Sequence, residues 1–433
     1  MKTAHQHVSD LLTFIDESPS PWHAGHSVKK RLLAENFKEL KETEPWQLEK
    51  NGRYYILRDD SSIIAFIIGH QPLSTTGYKI IGAHTDSPSL RVKPKAAHYE
   101  SGLLRLGVEV YGGPILATFS DRDLSLAGRL SYKDNNGVIT TRLIDFKQPL
   151  LRLPNLAIHM NRKVNEEGLT FHKQNELPLL LASANEQLPE QRFYHLLEQA
   201  SGLEAKQILS WELSVYDTQK GAFWGAESEF YANSQLDNLT SCHAGITALL
   251  DNEVDQPEAT LVCAFFDHEE IGSESYKGAD GRFLSDSLAR IAFSLGQDTE
   301  DYQRALAQSF MMSVDMAHAY QPNFSAAYEP NHKVMVNQGP VIKVNANHRY
   351  TSESISEAIF INHCQQAGVP YQFYSHRSDI PCGSTLGPMS SANLGVRSVD
   401  VGNPMWAMHS IRESAGVEDH LFMIKVLQNF FVS

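Results

Sequence analysis

Short apolar runs that end in histidine or carboxylate side chains are the feature that most constrains how this chain folds. Four runs show the pattern: 79–83 before His84 and Asp86, 261–266 before Glu269 and Glu270, 311–314 before Asp315, and 398–401 before His409. Apolar runs of this length are typical of strands buried on both faces of a sheet. Because open α/β sheets bind ligands at the carboxyl ends of their strands, the pattern predicts an α/β sheet with one polar site at its edge.

A segment of different texture interrupts these strands and the helical patterns that alternate with them. Residues 92–226 alternate apolar with polar side chains and are punctuated by glycine and asparagine. Within that segment, residues 124–132 and 138–144 flank an Asp-Asn-Asn-Gly turn, which predicts a β-hairpin. We therefore expect a discontinuous α/β domain, residues 1–91 and 227–433, that carries a β-rich insertion over residues 92–226.

Composition excludes several classes of partner. Lys plus Arg number 37 and Asp plus Glu number 51, so the formal net charge is −14 at pH 7, which repels nucleic acid and anionic membranes. The apolar runs are far shorter than the roughly 20 residues of a membrane span, and the N-terminus lacks a signal-peptide core. Four cysteines, far apart and without a Cys-x-x-Cys pair, are typical of a cytoplasmic protein.

The polar residues at the strand ends become informative only when they are taken together. Alone, each has an ordinary explanation: a histidine after a strand is usually a hydrogen-bonded core residue, and Asp237, where a helical pattern begins, could be a helix N-cap. Two histidines and three carboxylates can converge on one site, and these residues are His84, Asp237, Glu270, Asp315 and His409. We expect them to bind two metal ions.

The charge of this set favours a di-metal centre. Three carboxylates and a bridging hydroxide balance two divalent cations. Oxygen and imidazole ligands without thiolates suit Zn²⁺, with Mn²⁺ or Co²⁺ as substitutes. Glu269 precedes the candidate ligand Glu270 and stays free to accept a proton from metal-bound water. Asp86 stands two residues after His84, where its carboxylate could accept the second ring N–H of that histidine.

Other hydrolase motifs are incomplete in this sequence. His268-Glu269-Glu270-Ile271-Gly272 departs from His-Glu-x-x-His because position 272 is glycine, which argues against a single-zinc helical metalloprotease. The sequence contains neither a Gly-x-Ser-x-Gly elbow nor a Gly-x-x-x-x-Gly-Lys phosphate loop. Serine-hydrolase and nucleotidase activities therefore have no motif to support them.

Nine segments, spread in order along almost the whole chain, resemble a known family. They are residues 18–23, 82–88, 155–162, 234–238, 266–273, 314–319, 339–343, 379–385 and 408–413, and they include Gly-Ala-His-Thr-Asp-Ser-Pro and Phe-Asp-His-Glu-Glu-Ile-Gly-Ser. The family is that of the aspartyl aminopeptidases, cytosolic di-zinc exopeptidases. The resemblance implies a di-zinc exopeptidase-like catalytic domain and peptide substrates that begin with Asp or Glu.

The same resemblance implies how the residues share the work. It divides the ligands between two zinc ions per subunit, with His84, Asp237 and Asp315 on one and Asp237, Glu270 and His409 on the other. Glu269 would be the general base, and His318 would contact the substrate. Lys343 would bind the acidic substrate side chain, although its sequence context alone favours an ordinary strand lysine.

The resemblance further implies a homo-oligomer. The inserted domain would form dimers, and the dimers would assemble into a dodecamer. His159, within the insertion, would reach from one subunit into the active site of its neighbour, where it would contact the substrate rather than serve as a further metal ligand.

Two alternative functions stay open at this stage. A related di-zinc amide hydrolase, such as an N-acyl amino acid deacylase or a carboxypeptidase, would need a cation for the free carboxylate of its substrate. A non-catalytic peptide-binding or trafficking protein would be expected to have lost part of the site, whereas the ligand set and Glu269 are all retained.

Overall fold

The computed structural model describes residues 2–251 and 256–433. The helices, in chain order, are α1 (Ala4–Asp16), α2 (Pro21–Ala34), α3 (Leu73–Thr76), α4 (Val164–Glu167), α5 (Pro189–Ser201), α6 (Leu236–Leu250), α7 (Phe283–Ser294), α8 (Thr299–Gln308), α9 (Ser354–Ala367), α10 (Leu386–Leu394) and α11 (Val417–Val432). Short 3₁₀ segments lie at Leu116–Phe119, Ala205–Gln207, Glu269–Ile271 and Pro322–Ala327.

The strands outnumber the helices and form three sheets within the described residues. In chain order they are β1 (Lys38–Glu39), β2 (Arg53–Arg58), β3 (Ser62–Ile67), β4 (Tyr78–His84), β5 (Ser89–Glu100), β6 (Leu103–Tyr111), β7 (Leu124–Lys133), β8 (Ile139–Asp145), β9 (Leu179–Ser183), β10 (Ile208–Asp217), β11 (Ala222–Trp224), β12 (Phe230–Asn233), β13 (Thr260–Phe266), β14 (Phe310–Val314), β15 (Ala317–His318), β16 (Val341–Val344), β17 (Gln372–Ser375), β18 (Arg397–Gly402), β19 (Pro404–Trp406) and β20 (Glu413–Gly416).

The first sheet has the order β1-β2-β3-β13-β4-β14-β18-β16-β17. Its centre is parallel, because β4 pairs in parallel with both β13 and β14, and β14 pairs in parallel with β18. All four of these strands are predicted by their apolar runs, and the prediction is confirmed. Since parallel strands end at the same edge, the polar residues that follow them meet there.

Alternate side chains of the first sheet supply two separate cores. In β3, Ile63 and Ala65 pack with α1, α2, α6 and α11, whereas Ile64 and Phe66 pack with α7 and α8 on the opposite face. Successive side chains of a strand point to opposite faces, so a strand covered by helices on both sides must be apolar throughout. This explains why the central strands read as continuous apolar runs.

Two polar caps define the helices at the N-terminal end. The hydroxyl of Thr3 accepts the backbone N–H of Gln6, whose side chain accepts the N–H of Thr3 in return, so α1 begins with a capping box. The hydroxyl of Ser20 accepts the N–H of His23, and Pro21 occupies the first position of α2. The Ser-Pro-Ser-Pro cluster between the two helices therefore also starts the second one.

The second sheet is antiparallel and has the order β8-β7-β10-β5-β6-β9. The predicted hairpin is confirmed as β7 and β8, with Ala127 paired to Asp145 and Lys133 to Ile139. The sheet begins with β5 at Ser89, three residues before the expected boundary at 92, and ends with β10 at Asp217. Its apolar side chains form a core of their own, to which Phe193 and Leu197 of α5 contribute.

A third, small sheet is not predicted by the sequence. Its order is β11-β12-β20-β19-β15. β11 therefore belongs to this sheet and not to the second one, although residues 222–224 lie inside the predicted insertion. β20 lies between β12 and β19, antiparallel to both. This sheet consequently joins chain segments that are almost 200 residues apart.

The helices and the cysteines bear on membrane insertion and disulfide bonding. No helix within residues 2–251 and 256–433 has the length and the apolar composition that a membrane span requires. The four cysteines are all free, and three of them are buried.

Three buried histidines connect α1, α6 and α11 on one face of the first sheet. The Nδ1 atom of His243 lies 2.9 Å from Nε2 of His420, and its Nε2 lies 3.3 Å from Asp10, which also pairs with Arg31. His7 is buried beside them. Burial lowers the pKa of His243 to about 4, and it also lowers the pKa of His7 and, more strongly, of His420. All three rings are therefore neutral at pH 7.

We predict that these histidines make the free energy of unfolding depend on pH. Their pKa rises to about 6.5 in the unfolded chain, so at acidic pH the unfolded chain binds more protons than the folded chain. The contribution of these histidines to the free energy of unfolding is therefore fully present above about pH 6.5 and is lost as the pH falls toward about 4. His420→Gln should reduce this slope by up to about 1.4 kcal/mol per pH unit. Urea unfolding between pH 4.5 and 7.5 measures the slope. His5→Gln, at an exposed histidine, is the control. The same dependence of unfolding free energy on pH in the wild type, His420→Gln and His5→Gln would contradict the prediction.

Candidate active site

The carboxyl edge of the first sheet collects the side chains predicted to bind metal. His84 is the last residue of β4, and it stands beside Phe266, the last residue of β13, in the strand register. Glu269 and Glu270 follow β13 in a single 3₁₀ turn, and Asp315 follows β14. The three loops therefore start from adjacent parallel strands, which brings their side chains together.

Asp237 reaches the same edge from the irregular start of α6. Gln235 precedes the helix with φ +57°, and Asp237 itself has φ −82° and ψ 104°, outside the helical range. Asp237 is thus not the N-cap that its position allows; it turns its carboxylate toward the strand ends. His409 arrives from the loop between β19 and β20, with a φ of +68°.

The imidazole and carboxylate atoms form three overlapping groups of three, which are His84 with Asp237 and Asp315, Asp237 with Glu270 and His409, and His84 with Glu269 and Glu270. His84 Nε2 lies 3.4 Å from both Asp237 Oδ1 and Asp315 Oδ1. His409 Nε2 lies 3.5 Å from Asp237 Oδ2 and 3.3 Å from Glu270 Oε2. In each group, one ligand atom from every residue lies within 4.8 Å of the others. Asp237 belongs to the first two groups, with one carboxylate oxygen facing each histidine.

Two buried oxygens test whether metal ions fit this arrangement. Asp237 Oδ1 and Glu270 Oε1 are inaccessible to solvent and accept no hydrogen bond from the described part of the chain. A buried carboxylate oxygen without a donor is costly, and a bound cation removes that cost. Imidazole nitrogens and carboxylate oxygens are also the ligand atoms that zinc accepts. The residues therefore fit a zinc centre.

The pKa values at this edge show the same deficit of positive charge. Burial raises the pKa of Glu269 well above its usual range and raises the pKa of Glu270 to about 7. Burial opposes protonation of His409, but its contacts with Asp237 and Glu270 outweigh this effect and raise its pKa to about 12. Without bound cations, Glu270, Glu269 and His409 thus hold protons more tightly, because no other positive charge offsets the negative charge of the cluster.

Asp86 is buried behind His84 and contacts several groups at once. Its two carboxylate oxygens accept the backbone N–H groups of Glu269 (3.1 Å) and Glu270 (3.2 Å), and the hydroxyl of Tyr111 donates to it at 2.6 Å. His84 Nδ1 lies 3.0 Å from the backbone carbonyl of Asp86 and 3.5 Å from its carboxylate. The nearer acceptor for the ring N–H is therefore the carbonyl, and the carboxylate holds the turn that carries both glutamates.

Lys343 lies directly behind one of the candidate ligands. It is on β16, only 2% of its side chain is exposed, and its Nζ donates to Asp315 Oδ2 at 3.1 Å and to the carbonyl of Met316 at 3.2 Å. His318 ends β15 and packs edge-on against Tyr374. Burial, and secondarily the charge of Lys343, lower the pKa of His318 to about 4, so its ring is neutral at pH 7.

His159 is the one predicted site residue that a single chain does not bring to the cluster. It lies in the exposed segment 154–160, between β8 and β9. Three apolar side chains surround it in sequence, and Leu156, Ile158 and Met160 are 68%, 47% and 76% exposed. A second subunit is therefore required if His159 is to act in an active site.

Two residues at the site are missed by the sequence analysis. Tyr111 is the last residue of β6, so the same rule of polar strand ends could have identified it, but it lies in the predicted insertion. Glu413 is buried at the start of β20 and accepts the backbone N–H groups of Asp237 and His409. It is the last residue of the matching segment 408–413, but the resemblance assigns it no role.

Comparison with known proteins identifies the family. The profile of the family described as "Aminopeptidase I zinc metalloprotease (M18)" matches residues 14–431. The chain belongs to this M18 family. A curated relative from Stutzerimonas stutzeri, named "Probable M18 family aminopeptidase 2", is 47% identical over 426 residues, which cover 98% of this chain and 97% of the relative.

Solved structures agree with this assignment. The protein in "Cryo-EM structure of the Ape4 and Nbr1 complex" superposes with a TM-score of 0.96 at 36% identity, over 99% of this chain and 86% of that one. The S. cerevisiae mApe1 dodecamer superposes with a TM-score of 0.86 at 25% identity, over 98% and 95%. This M18 chain is thus a zinc aminopeptidase with the mixed α/β fold of its family.

Proposed function

We propose that this M18 aminopeptidase removes the N-terminal residue from peptides, preferably Asp or Glu, with two zinc ions per subunit and Glu269 as the general base. The single observation that carries the proposal is the position of Asp237 between two histidines, with one carboxylate oxygen toward each. That geometry supports a bridging carboxylate with one ion on either side. Mn²⁺ and Co²⁺ are substitutes that the same ligands accept.

The two groups that share Asp237 support a division of the ligands between two ions. His84 and Asp315 complete one group around Asp237, and Glu270 and His409 complete the other. The bound ions would polarise the scissile carbonyl and lower the pKa of a bound water molecule.

Glu269 lies outside the two groups that share Asp237, although it forms a third possible group with His84 and Glu270. Its Oε2 lies 3.9 Å from His84 Nε2, farther than the oxygens of Asp237 and Asp315. Burial raises its pKa and makes it a stronger base than a solvated carboxylate, an effect that bound cations would oppose. In this proposal Glu269 accepts a proton from the attacking water and delivers it to the leaving amine. Asp86 keeps it in place through the backbone N–H of Glu269, and Tyr111 fixes Asp86.

Lys343 supports a preference for acidic residues. It is a buried cation, and buried charges act over longer distances than solvated ones because water does not screen them. When Asp315 shares its charge with a zinc ion, more of the Lys343 charge becomes available to an acidic substrate side chain. His318, whose pKa the Lys343 charge lowers, would contact that side chain as a neutral ring.

A homo-oligomer that completes each site is the second part of the proposal. Exposed apolar side chains around His159 are typical of a surface that another subunit covers. We propose that the insertion, residues 92–226, forms the dimer and that dimers assemble into a dodecamer; the structural neighbour mApe1 is a dodecamer. His159 would then donate a hydrogen bond to the oxyanion in the active site of the neighbouring subunit.

The four free cysteines fit a cytoplasmic location.

The first prediction concerns Glu269. Glu269→Gln should retain both zinc ions, because the ligand set is intact, but its kcat should fall by roughly 10²–10⁴ because the proton acceptor is gone. Zinc per chain by elemental analysis and kcat on a glutamyl chromogenic amide measure the two effects. Glu274→Gln, at an exposed carboxylate five residues away, is the control and should be normal. Normal turnover by Glu269→Gln would contradict the assigned role.

The same assay distinguishes the proposed aminopeptidase activity from that of a related di-zinc amide hydrolase. Wild-type enzyme should lose activity when a chelator removes zinc and recover it with zinc, manganese or cobalt. Hydrolysis of N-acetylated amino acids in place of aminoacyl amides would instead favour a deacylase.

The second prediction concerns Lys343. A charge-assisted contact with the substrate is worth about 1.5–3 kcal/mol, so Lys343→Met should lower the ratio of kcat/KM for Glu-amide over Leu-amide by about ten-fold or more. Lys277→Met is the matched control, because Lys277 is equally buried but pairs with Asp59 and Asp267. If Lys343→Met slows both substrates equally, Lys343 only orients Asp315 and selectivity has another source.

The third prediction tests whether His159 acts across the subunit interface. His159→Ala and Asp237→Asn should each be nearly inactive alone, whereas co-expressed mixed oligomers should regain activity, because a chain with intact Asp237 can receive an intact His159. His195→Ala, at an exposed histidine of α5, should remain active and serves as the control. Mixed oligomers that are confirmed by mass spectrometry and stay inactive would contradict the prediction.

A further inference from the structure

A buried carboxylate lies midway between two of the candidate ligand loops. Glu413 is the first residue of β20, the strand between β12 and β19 in the third sheet. β12 ends at Asn233, which is paired with Glu413, and leads within four residues to Asp237. β19 ends at Trp406 and leads within three residues to His409. Glu413 is therefore anchored to both strands from which these loops begin.

Each oxygen of this carboxylate holds one loop. Oε2 accepts the backbone N–H of Asp237 at 3.1 Å, and Oε1 accepts the backbone N–H of His409 at 2.6 Å. Only 2% of Glu413 is exposed. Water therefore has little access to compete for either N–H group, and the two bonds are made at the same time.

Neither loop is held in place by regular secondary structure. His409 has a φ of +68° and Asp237 has dihedral angles outside the helical range. A buried N–H that finds no acceptor costs about as much as a lost hydrogen bond, so each loop requires the acceptor that Glu413 provides.

We propose that Glu413 is a positioning residue that sets the distance between Asp237 and His409 and thereby the affinity of the zinc ion they share. The inference rests on the ligand assignment of the proposed function. Glu413 bonds to backbone N–H groups of the ligand residues, so its effect is on their placement. Groups that orient metal ligands typically change metal affinity by about 10–100-fold when they are substituted.

The requirement is for two acceptors, which predicts how substitutions differ. In Glu413→Gln one oxygen can still accept an N–H, but the amide NH₂ must face the other N–H, and two donors cannot bond to each other. Glu413→Asp keeps both acceptor oxygens on a stem that is one methylene shorter, and it should weaken zinc binding less than glutamine does.

Asp419 provides a matched control in the same part of the chain. It is fully buried at the start of α11, and its two oxygens accept the backbone N–H groups of Asn337 and Gly339. Asp419→Asn therefore removes an acceptor from the same kind of double contact, but the loop that it holds carries no candidate ligand.

The experiment compares zinc release from the zinc-loaded, full-length wild type and the variants. Zinc transfer to a chromogenic chelator gives the apparent dissociation constants, and thermal unfolding of the chelated proteins gives their metal-free stability. We expect the apparent dissociation constant of one zinc per chain to be about 10–100-fold higher in Glu413→Gln than in the wild type. The activity of Glu413→Gln should recover in excess zinc. Asp419→Asn should lower the unfolding midpoint but retain zinc as the wild type does.

Four outcomes would overturn the proposal. Zinc retention by Glu413→Gln equal to that of the wild type would show that the carboxylate does not position the ligands. Equal zinc loss in Asp419→Asn would show that loss follows from general destabilisation. A wild type that binds no zinc would overturn the ligand assignment itself, and this inference with it. If Glu413→Gln does not fold, Glu413→Asp is measured instead, and wild-type zinc retention at wild-type stability would overturn the proposal in the same way.

Discussion

The concentration of negative charge at one edge of the first sheet is the constraint on which the rest of this structure depends. Five carboxylates surround two histidines there, and they are Asp86, Asp237, Glu269, Glu270 and Asp315. Such an assembly is unfavourable in a buried place unless cations and backbone donors compensate for it. The first two sheets contribute to that compensation, because the first supplies His84 and the second supplies the Tyr111 hydroxyl. The third sheet supplies Glu413, a further carboxylate, which holds two of the ligand loops at their backbone.

Much of this edge could be predicted from the sequence because its cause is local. A strand covered by helices on both faces must be apolar along its whole length, so β4, β13, β14 and β18 are visible as apolar runs and their ends are visible as the first polar residues. His84 and Asp315 follow from that rule alone, whereas Glu269 and Glu270 lie three and four residues after the end of β13. The hairpin of β7 and β8 is equally accessible, because a short turn joins two alternating segments.

The third sheet and the supporting contacts are inaccessible to sequence reasoning for the opposite reason. β11, β12, β19 and β20 are three or four residues long, too short to show a period, and β12 pairs with β20 across about 180 residues. Glu413 functions through backbone N–H groups, and no residue type is required at the positions that it contacts. The acceptor for the His84 ring N–H is a backbone carbonyl, which no sequence pattern reveals. The family resemblance assigns Lys343 to the substrate, whereas its direct partner within the chain is Asp315.

The order of the candidate ligands along the chain determines when the cluster can form during synthesis and folding. The cluster draws on residues from His84 to His409, and His409 is placed by strands that pair with distant partners. Long-range pairings form late in folding because the closure of long loops must come first. A nascent chain that has passed residue 315 therefore already carries several acidic side chains of the cluster but still lacks His409 and the strands that support it. The complete ligand cluster therefore cannot form before the chain has been synthesised past β20, the strand that supports the His409 loop.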